Sequence, residues 1–399
     1  MKALRLYIDS YKGLSRPAWM LAWVILINRA GTMVLPFLSI YLKEARGLDL
    51  NQVGIILSLF GAGALVGSFL GGWLTDKVGS FWVQTSSLVL GGLCFLFLKE
   101  VESFEGLAIG FFLTTVVTDS LRPANSTAVA QYTKPENLTR AYSLNRMDTN
   151  LGFTVGPAIG GFLAAKNYEL LFYTDAFTCI LAGLLFAGYF FTLPKNTKES
   201  PQEEQPENVV APWKNLRFMT FVLLVAGYGT VFFQLFTTLP LYYREVYVLP
   251  ENHIGWLLAL NGFIVFAVEM PLVAKLGNKV SIRRIVSIGA ILAGAGLLIL
   301  NGAEGIWVLV LSMVLLSASE ILAMPFMTTY TVQSATEKSR GRYLGMYSVG
   351  YSIAFIAAPA VGTYLIDFAS YAFLWNVLAI FALLVTIGMF FNIREVKEN

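Results

Sequence analysis

The chain has 399 residues, of which 56% are hydrophobic and 13% charged, and its net charge is +3. A soluble domain carries about 25% charged residues, so this composition and a mean hydropathy of +0.65 belong to the membrane class. Only Cys94, Cys179 and His253 could supply soft ligands, which excludes a disulfide framework, a Cys/His metal centre and a histidine relay, so no cofactor or metal is expected.

Lys2, Arg5, Lys12 and Arg16 precede the first long apolar run without a small-residue cleavage pattern, so that run is expected to be its own insertion signal. A helix needs about 20 apolar residues to cross roughly 30 Å of hydrocarbon. On that measure the sequence predicts spans at 17–43, 51–75, 81–98, 105–131, 141–164 and 169–193. A polar, Pro-rich stretch follows at 194–215 and reads as a flexible linker. Spans resume at 216–243, 253–276, 283–302, 305–332, 342–366 and 369–392.

Charges interrupt these runs. Each costs about 2.5–3.5 kcal/mol on insertion scales, so it is expected to face a polar cavity or a partner. Span one carries Asn28 and Arg29, and Arg29 could hold a carboxylate or phosphate through paired hydrogen bonds or equally neutralise Asp148 or Asp175. Span four carries Asp119 and Arg122, which share a helix face with Asn125 beyond Pro123. In span five Asn145 and Asp148 share one face, Arg146 and Asn150 another. Cross-helix pairs of Arg122 with Asp148, or Asp119 with Arg146, are expected. Asp175 in span six is expected at the interface.

In the second half, Tyr228, Phe232 and Gln234 of span seven and Trp256 and Asn261 of span eight are candidates to line a cavity for a bulky amphipathic ligand. Glu269, just before Pro271, reads as a gate residue. The sequence places no Arg or Lys at the depth of Glu320 in span ten. Desolvation disfavours a carboxylate's charged form, which suits a buried carboxylate to take and release protons. Glu320 is therefore a proton-coupling candidate, with Asp148 and Asp119 beside it. Five buried carboxylates against three arginines mildly favour a cationic cargo.

Of the 28 Lys and Arg, 20 fall on the side of the N-terminus, 5 on the other side and 3 within spans, which predicts both termini in the cytoplasm. The halves also repeat. At an offset of 202, Pro123 meets Pro325, Gln131 meets Gln333, Arg140 meets Arg342, Pro157 meets Pro359 and Gly160 meets Gly362. Parallel repeats of this kind mark a two-bundle transporter.

Two motifs sharpen the reading. Gly72-Trp73-Leu74-Thr75-Asp76-Lys77-Val78-Gly79 follows span two. In span five stands Gly152-Phe153-Thr154-Val155-Gly156-Pro157-Ala158-Ile159-Gly160-Gly161. The first resembles the loop motif of the major facilitator superfamily, and the second resembles that superfamily's antiporter motif, so the chain is similar to its multidrug–proton antiporter branch. Gly152, Gly156 and Gly160 recur every four residues, a smooth stripe that lets another helix approach, while Pro157 can bend the helix.

The resemblance implies that Asp76 caps a helix of the other bundle and that Asp76, Gly79, Arg122 and the glycine–proline stripe serve gating. The chain departs from the family at Ser80 and Phe81, where basic residues are usual, at Gln131, where an acid is frequent, and at Ala274, where the second-half copy would have Asp.

The expected architecture is an all-α membrane protein with twelve transmembrane helices in two pseudo-symmetric six-helix bundles. These are residues 1–193 and 216–399, joined by a cytoplasmic linker. The expected activity is proton-coupled efflux of lipophilic or cationic small molecules by alternating access, in the cell membrane. The partners are the cargo, protons and the bilayer; the chain is expected to be a monomer, without nucleic acid. Proton-coupled uptake of a peptide, sugar or organic anion is the alternative, as is a lipid or glycolipid flippase. With no Walker loop, metal-ligand spacing or nucleophile motif, an enzyme is not expected.

Overall fold

The structure is a computed structural model and describes residues 13–134, 137–193, 211–276, 280–302, 304–336 and 339–394. Of the expected linker, 194–210 lie outside the described residues. In the hydrocarbon of a bilayer a helix satisfies its own backbone groups, and every long apolar run here is helical, with no strand among the described residues. The spans are α1 (Arg16–Ala45), α2 (Leu50–Val78), α3 (Ser80–Leu98), α4 (Phe104–Tyr132), α5 (Leu138–Ala164) and α6 (Glu169–Phe190). They continue as α7 (Leu216–Glu245), α8 (Glu251–Leu276), α9 (Ile282–Asn301), α10 (Ile306–Gln333), α11 (Arg340–Phe368) and α12 (Tyr371–Asn392). Eleven are long and apolar enough to cross a membrane on composition alone. The exception is α5, whose first half carries Arg140, Asn145, Arg146, Asp148 and Asn150.

Start signals are local. Ser15 accepts from the Ala18 N–H (3.3 Å), Ser103 from Gly106 (3.1 Å), Asn215 from Phe218 (3.1 Å) and Ser370 from Phe373 (3.2 Å). Each satisfies an N–H that the first turn leaves without a helical partner. Gly79 joins α2 to α3 at φ +87, a left-handed turn that strains any residue with a Cβ.

By packing, the chain divides into two units. One holds Met1–Phe37 and Ala62–Pro201, the other Leu38–Gly61 and Gln202–Asn399. In the first, Phe81, Phe186 and Phe190 stack at 5.7 and 4.7 Å between α3 and α6. In the second, Trp375 meets Tyr242 edge-on at 5.4 Å and Phe218 lies 4.4 Å from Tyr343. Large apolar side chains also face outward, Phe69 and Leu216 at 79% and 80% exposure among them. That surface is at home in lipid and would be a liability in water.

Besides α4, which is interrupted at Ser120, two spans are broken by a turn and a restart. The first, α1, is helical to Ala30, turns through Gly31–Met33 and restarts at Val34. The other, α7, tightens to a 3-10 turn at Phe233–Phe236 and restarts at Thr238. Pro36 and Pro240 each stand third in the restarted segment, where the missing N–H would have bonded to the carbonyls of Thr32 and Phe236.

The breaks are held differently. Asp175 of α6 accepts from the N–H groups of Met33 (2.8 Å) and Val34 (3.2 Å). It is 2% exposed, because the break leaves two backbone donors inside the packing that a carboxylate can accept from. Asp175→Ala is expected to lower stability by about 1–3 kcal/mol. Thermal unfolding of the purified protein should show Asp175→Asn falling between that variant and wild type, since an amide keeps one acceptor. An unchanged midpoint in Asp175→Ala would mean that the two donors find other acceptors.

Candidate functional site

In the first unit the polar side chains gather where α1, α4 and α5 approach. Pro123 lacks the N–H that would bond to the Asp119 carbonyl, and α4 is interrupted there at Ser120, whose hydroxyl donates to Val116 O (2.8 Å) and Gly67 O (3.0 Å). Asp119 and Arg122 flank the interruption and pair with each other, Nε to Oδ1 at 2.5 Å. Asn125 donates to Asn145 Oδ1 (3.0 Å), tying α4 to α5.

This corrects the expected cross-helix pairs. Arg122 finds its carboxylate three residues back on its own helix, and Asp148 makes no ion pair among the described residues. Asp148 is 5% exposed, and its Oδ2 has no hydrogen-bond partner. Arg146 is exposed.

The glycine stripe of α5 lies against α1. A Cβ on Gly152 would overlap the Arg29 Cβ; on Gly156 it would stand 3.1 Å from Thr32 O, and on Gly160 3.1 Å from the Phe37 ring. Asp148 is one turn before Gly152 on this face. Asn28 donates to Cys179 Sγ (3.2 Å) on α6. Arg29 is half-buried, lies within electrostatic reach of Arg122 and Asp119, and makes no hydrogen bond or ion pair among the described residues.

The end of α2 and the start of α3 depart from the expected family pattern. Asp76 is exposed and makes no ion pair among the described residues. Ser80 donates to Gln131 Oε1 at 2.7 Å, so a neutral hydrogen bond stands where the resemblance places basic and acidic residues.

In the second unit Asn261 of α8 donates to Glu320 Oε2 (3.2 Å) and to Ser317 Oγ (3.0 Å), and Ser317 donates to Met313 O (2.8 Å). Beside Glu320, Ser319 shares a hydrogen bond with the Tyr228 hydroxyl (3.1 Å). Glu320 acts electrostatically on both Tyr228 and Tyr351. Glu320, Asn261 and Tyr228 thus share one polar cluster. Glu269 is buried in α8.

Three expected cavity residues fall elsewhere. Gln234 is fully buried and donates to Thr230 O (3.1 Å) and Ala358 O (2.9 Å) while accepting from Thr238 (2.5 Å). It staples the α7 break and has no donor left for a ligand. Phe232 is buried and stacks on Tyr228 at 6.0 Å. Trp256, 57% exposed, is five residues from Asn261, roughly 140° round the helix from the Glu320 cluster.

Sequence reasoning also passed over a cluster of five charged side chains in the second unit. Lys43 pairs with Glu245, and Arg244 pairs with Glu44 (2.6 Å) and reaches Glu251 (3.6 Å). Tyr371 donates to Glu245 Oε2 (2.7 Å). The signal was present: Lys-Glu ends α1, Arg-Glu ends α7, and the repeat offset sets Lys43 opposite Glu245.

The charge balance shifts as well. Asp175 serves the backbone and Asp119 serves Arg122, so two of the five carboxylates are committed to the fold. With Asp119 and Arg122 cancelling each other and Asp175 held by backbone donors, Asp148, Glu269 and Glu320 stand against Arg29 and Arg146, so the acidic excess behind the cation preference narrows from two to one.

The sequence model of the Major Facilitator Superfamily matches residues 20–252 and again 247–399. The multidrug resistance protein MdtH of Salmonella typhi is 22% identical over 335 residues, 84% of this chain and 82% of that protein. The Na(+), Li(+), K(+)/H(+) antiporter of Planococcus maritimus is 24% identical over 369 residues, 84% of this chain and 85% of its own. A mutant of the nucleoside transporter NupG superposes with a TM-score of 0.79 over 95% of this chain and 100% of that one, at 14% identity, a likeness of fold.

Proposed function

The chain belongs to the major facilitator superfamily, and from that premise we propose that it is a proton-coupled exporter of lipophilic small molecules. It works by alternating access in the cell membrane, with both termini in the cytoplasm and residues 1–193 and 216–399 as the moving bodies. The observation that carries the coupling is Asp148, a buried carboxylate with an unpartnered oxygen on the seam between α1 and α5. The names of the relatives, one a drug-resistance protein and one a cation/proton antiporter, support the direction.

Roles follow from position. Asp148 and Glu320 carry protons, while Asp119 holds Arg122 and so joins the gate. Arg29, Asn145, Arg146 and Asn261 face the cargo, and Tyr228, expected there too, is fully buried and backs the Glu320 cluster through Ser319. Asp76, Gly79, the Gly152–Pro157–Gly160 stripe and Glu269 govern opening. On the predicted orientation, the Lys43, Glu44, Arg244 and Glu245 pairs form a latch at the outer ends of α1 and α7. An exposed pair is worth little singly, but a network holds more, and it weakens with salt.

Dye efflux from cells, with and without a protonophore, tests the reading. Collapse of the gradient is expected to raise retained dye. The specific rival is proton-coupled uptake, favoured by the cationic Arg29 in the first unit, and there the protonophore would lower accumulation. Glu320→Gln is expected to slow gradient-driven transport about tenfold, roughly 1.4 kcal/mol in the barrier. Full proton-driven transport in Glu320→Gln would remove Glu320 from the coupling path and leave Asp148 alone in it.

A further inference from the structure

We propose that the first unit carries an oxyanion-binding subsite built on Arg29 with Arg122 beside it, so that the cargo bears a carboxylate, phosphate or sulfonate group. The inference rests on the transporter reading and names the chemistry of its cargo.

Arg29 ends the first segment of α1, directly before the break at Gly31–Met33. A guanidinium offers five N–H donors and no acceptor, and a half-buried one held without a partner is costly. Two nearby carboxylates are already engaged. Asp175 directs one oxygen to Met33 N–H and the other to Val34 N–H. Asp119, the carboxylate within electrostatic reach of Arg29, accepts from Arg122 Nε. The Asn28 amide donates to Cys179.

Gly152 clears the space at the base of Arg29: a side chain there would collide with the arginine's own Cβ. The glycine that seals α1 against α5 also leaves room for the arginine stem.

Arg122 completes the geometry. Its pairing with Asp119 uses Nε, and its side chain is 60% exposed. Two guanidiniums within electrostatic reach of each other, with one carboxylate paired to the second, leave a local excess of one positive charge. Like charges are held together at such range where an anion bridges them, and a planar fork matches an oxyanion in a way that an ammonium does not. Asn125 Oδ1, buried and without a hydrogen-bond partner, adds an acceptor for a donor elsewhere on the same molecule.

The test uses the full chain in nanodiscs of neutral lipid, with phenyl phosphate as probe and phenyltrimethylammonium as its cationic counterpart. Calorimetry is expected to show phenyl phosphate binding that weakens on the order of tenfold or more in Arg29→Gln. Arg29→Lys should keep part of it, because it keeps the charge and loses the fork. Arg122→Gln should weaken it less. Phenyltrimethylammonium should bind wild type and Arg29→Gln alike.

Unchanged phenyl phosphate binding in Arg29→Gln overturns the subsite. If Arg29→Gln does not fold, equal binding in Arg29→Lys, Arg122→Gln and wild type overturns it instead. Adding anionic lipid separates the two sources of a phosphate: displacement of the probe by headgroups assigns the pocket to lipid and overturns the claim about cargo. Because binding is read without a gradient, its loss or survival is independent of the proton-coupling reading.

Discussion

Asp148→Asn is expected to abolish gradient-driven transport while leaving the protein folded. In everted vesicles the proton-dependent rate should fall on the order of tenfold or more, with downhill exchange of labelled cargo retained. Asp148 lies one turn from Gly152, on the face of α5 that packs against α1. It is 5% exposed, and its Oδ2 has no hydrogen-bond partner. An ion pair or a row of backbone donors would give the ionised form a home, as Met33 and Val34 give Asp175. Here the ionised form needs water, and an unpaired buried charge costs several kcal/mol even after relaxation.

A closed seam between α1 and α5 therefore suits a neutral carboxyl, and a parted seam that admits water suits a carboxylate. That is a link between protonation and helix separation. Asparagine has the shape of the neutral acid and cannot take the second state. It should thus hold the seam, with an unfolding midpoint equal to or above that of wild type. Wild-type proton-driven rates in Asp148→Asn would remove Asp148 from the coupling path. A lowered midpoint would show that the carboxylate serves structure.

The class of fold was readable because a bilayer imposes a length and a composition that apolar runs cannot hide. The Lys and Arg counts predict an even number of crossings, and the 202-residue offset predicts two related halves. Even α5, too polar for a composition test, was recoverable from its partner α11 through Pro157 and Pro359.

The partnerships were not readable in the same way. Helical periodicity says which residues share a face of one helix; it does not say which neighbour that face meets. Arg122 was therefore assigned to Asp148 across a gap, when Pro123 had already opened α4 and left Asp119 beside it. Asp175 and Gln234 misled for a second reason. A polar residue in a span can serve a ligand or a broken backbone, and both serve a break. Pro36 and Pro240, each preceded by leucine late in its span, were the available signal that such breaks existed.

The stripe on α5 permits a graded test of how closely α1 must sit. A Cβ on Gly152 would meet Arg29 C at 2.8 Å and Ala30 N at 2.9 Å, both backbone atoms that cannot swing aside. On Gly156 it would meet Thr32 O at 3.1 Å and Ala30 O at 3.3 Å, where a shift of tenths of an ångström suffices. On Gly160 it would meet the Phe37 ring at 3.1 Å, which can tilt away, and Met33 Cβ at 3.2 Å, which needs only a small backbone shift. Overpacking costs about 1–3 kcal/mol, and replacing a helical glycine by alanine returns up to about 1 kcal/mol. The expected order of destabilisation is therefore Gly152→Ala, then Gly156→Ala, then Gly160→Ala, the last close to neutral.

Gly188 on α6, with nothing within 4 Å of its added carbon, is the control, and its alanine variant should unfold at or above the wild-type midpoint. Transport separates packing from motion. If activity falls in step with the midpoint, the glycines serve close contact alone. A Gly156→Ala variant that keeps its midpoint and loses transport would mean that α1 and α5 approach more closely at another stage of the cycle than they do here. Equal midpoints for Gly152→Ala and Gly188→Ala would mean that α1 yields at Arg29 without cost, and the seam that gives Asp148 its burial would then be too soft to link a proton to helix movement.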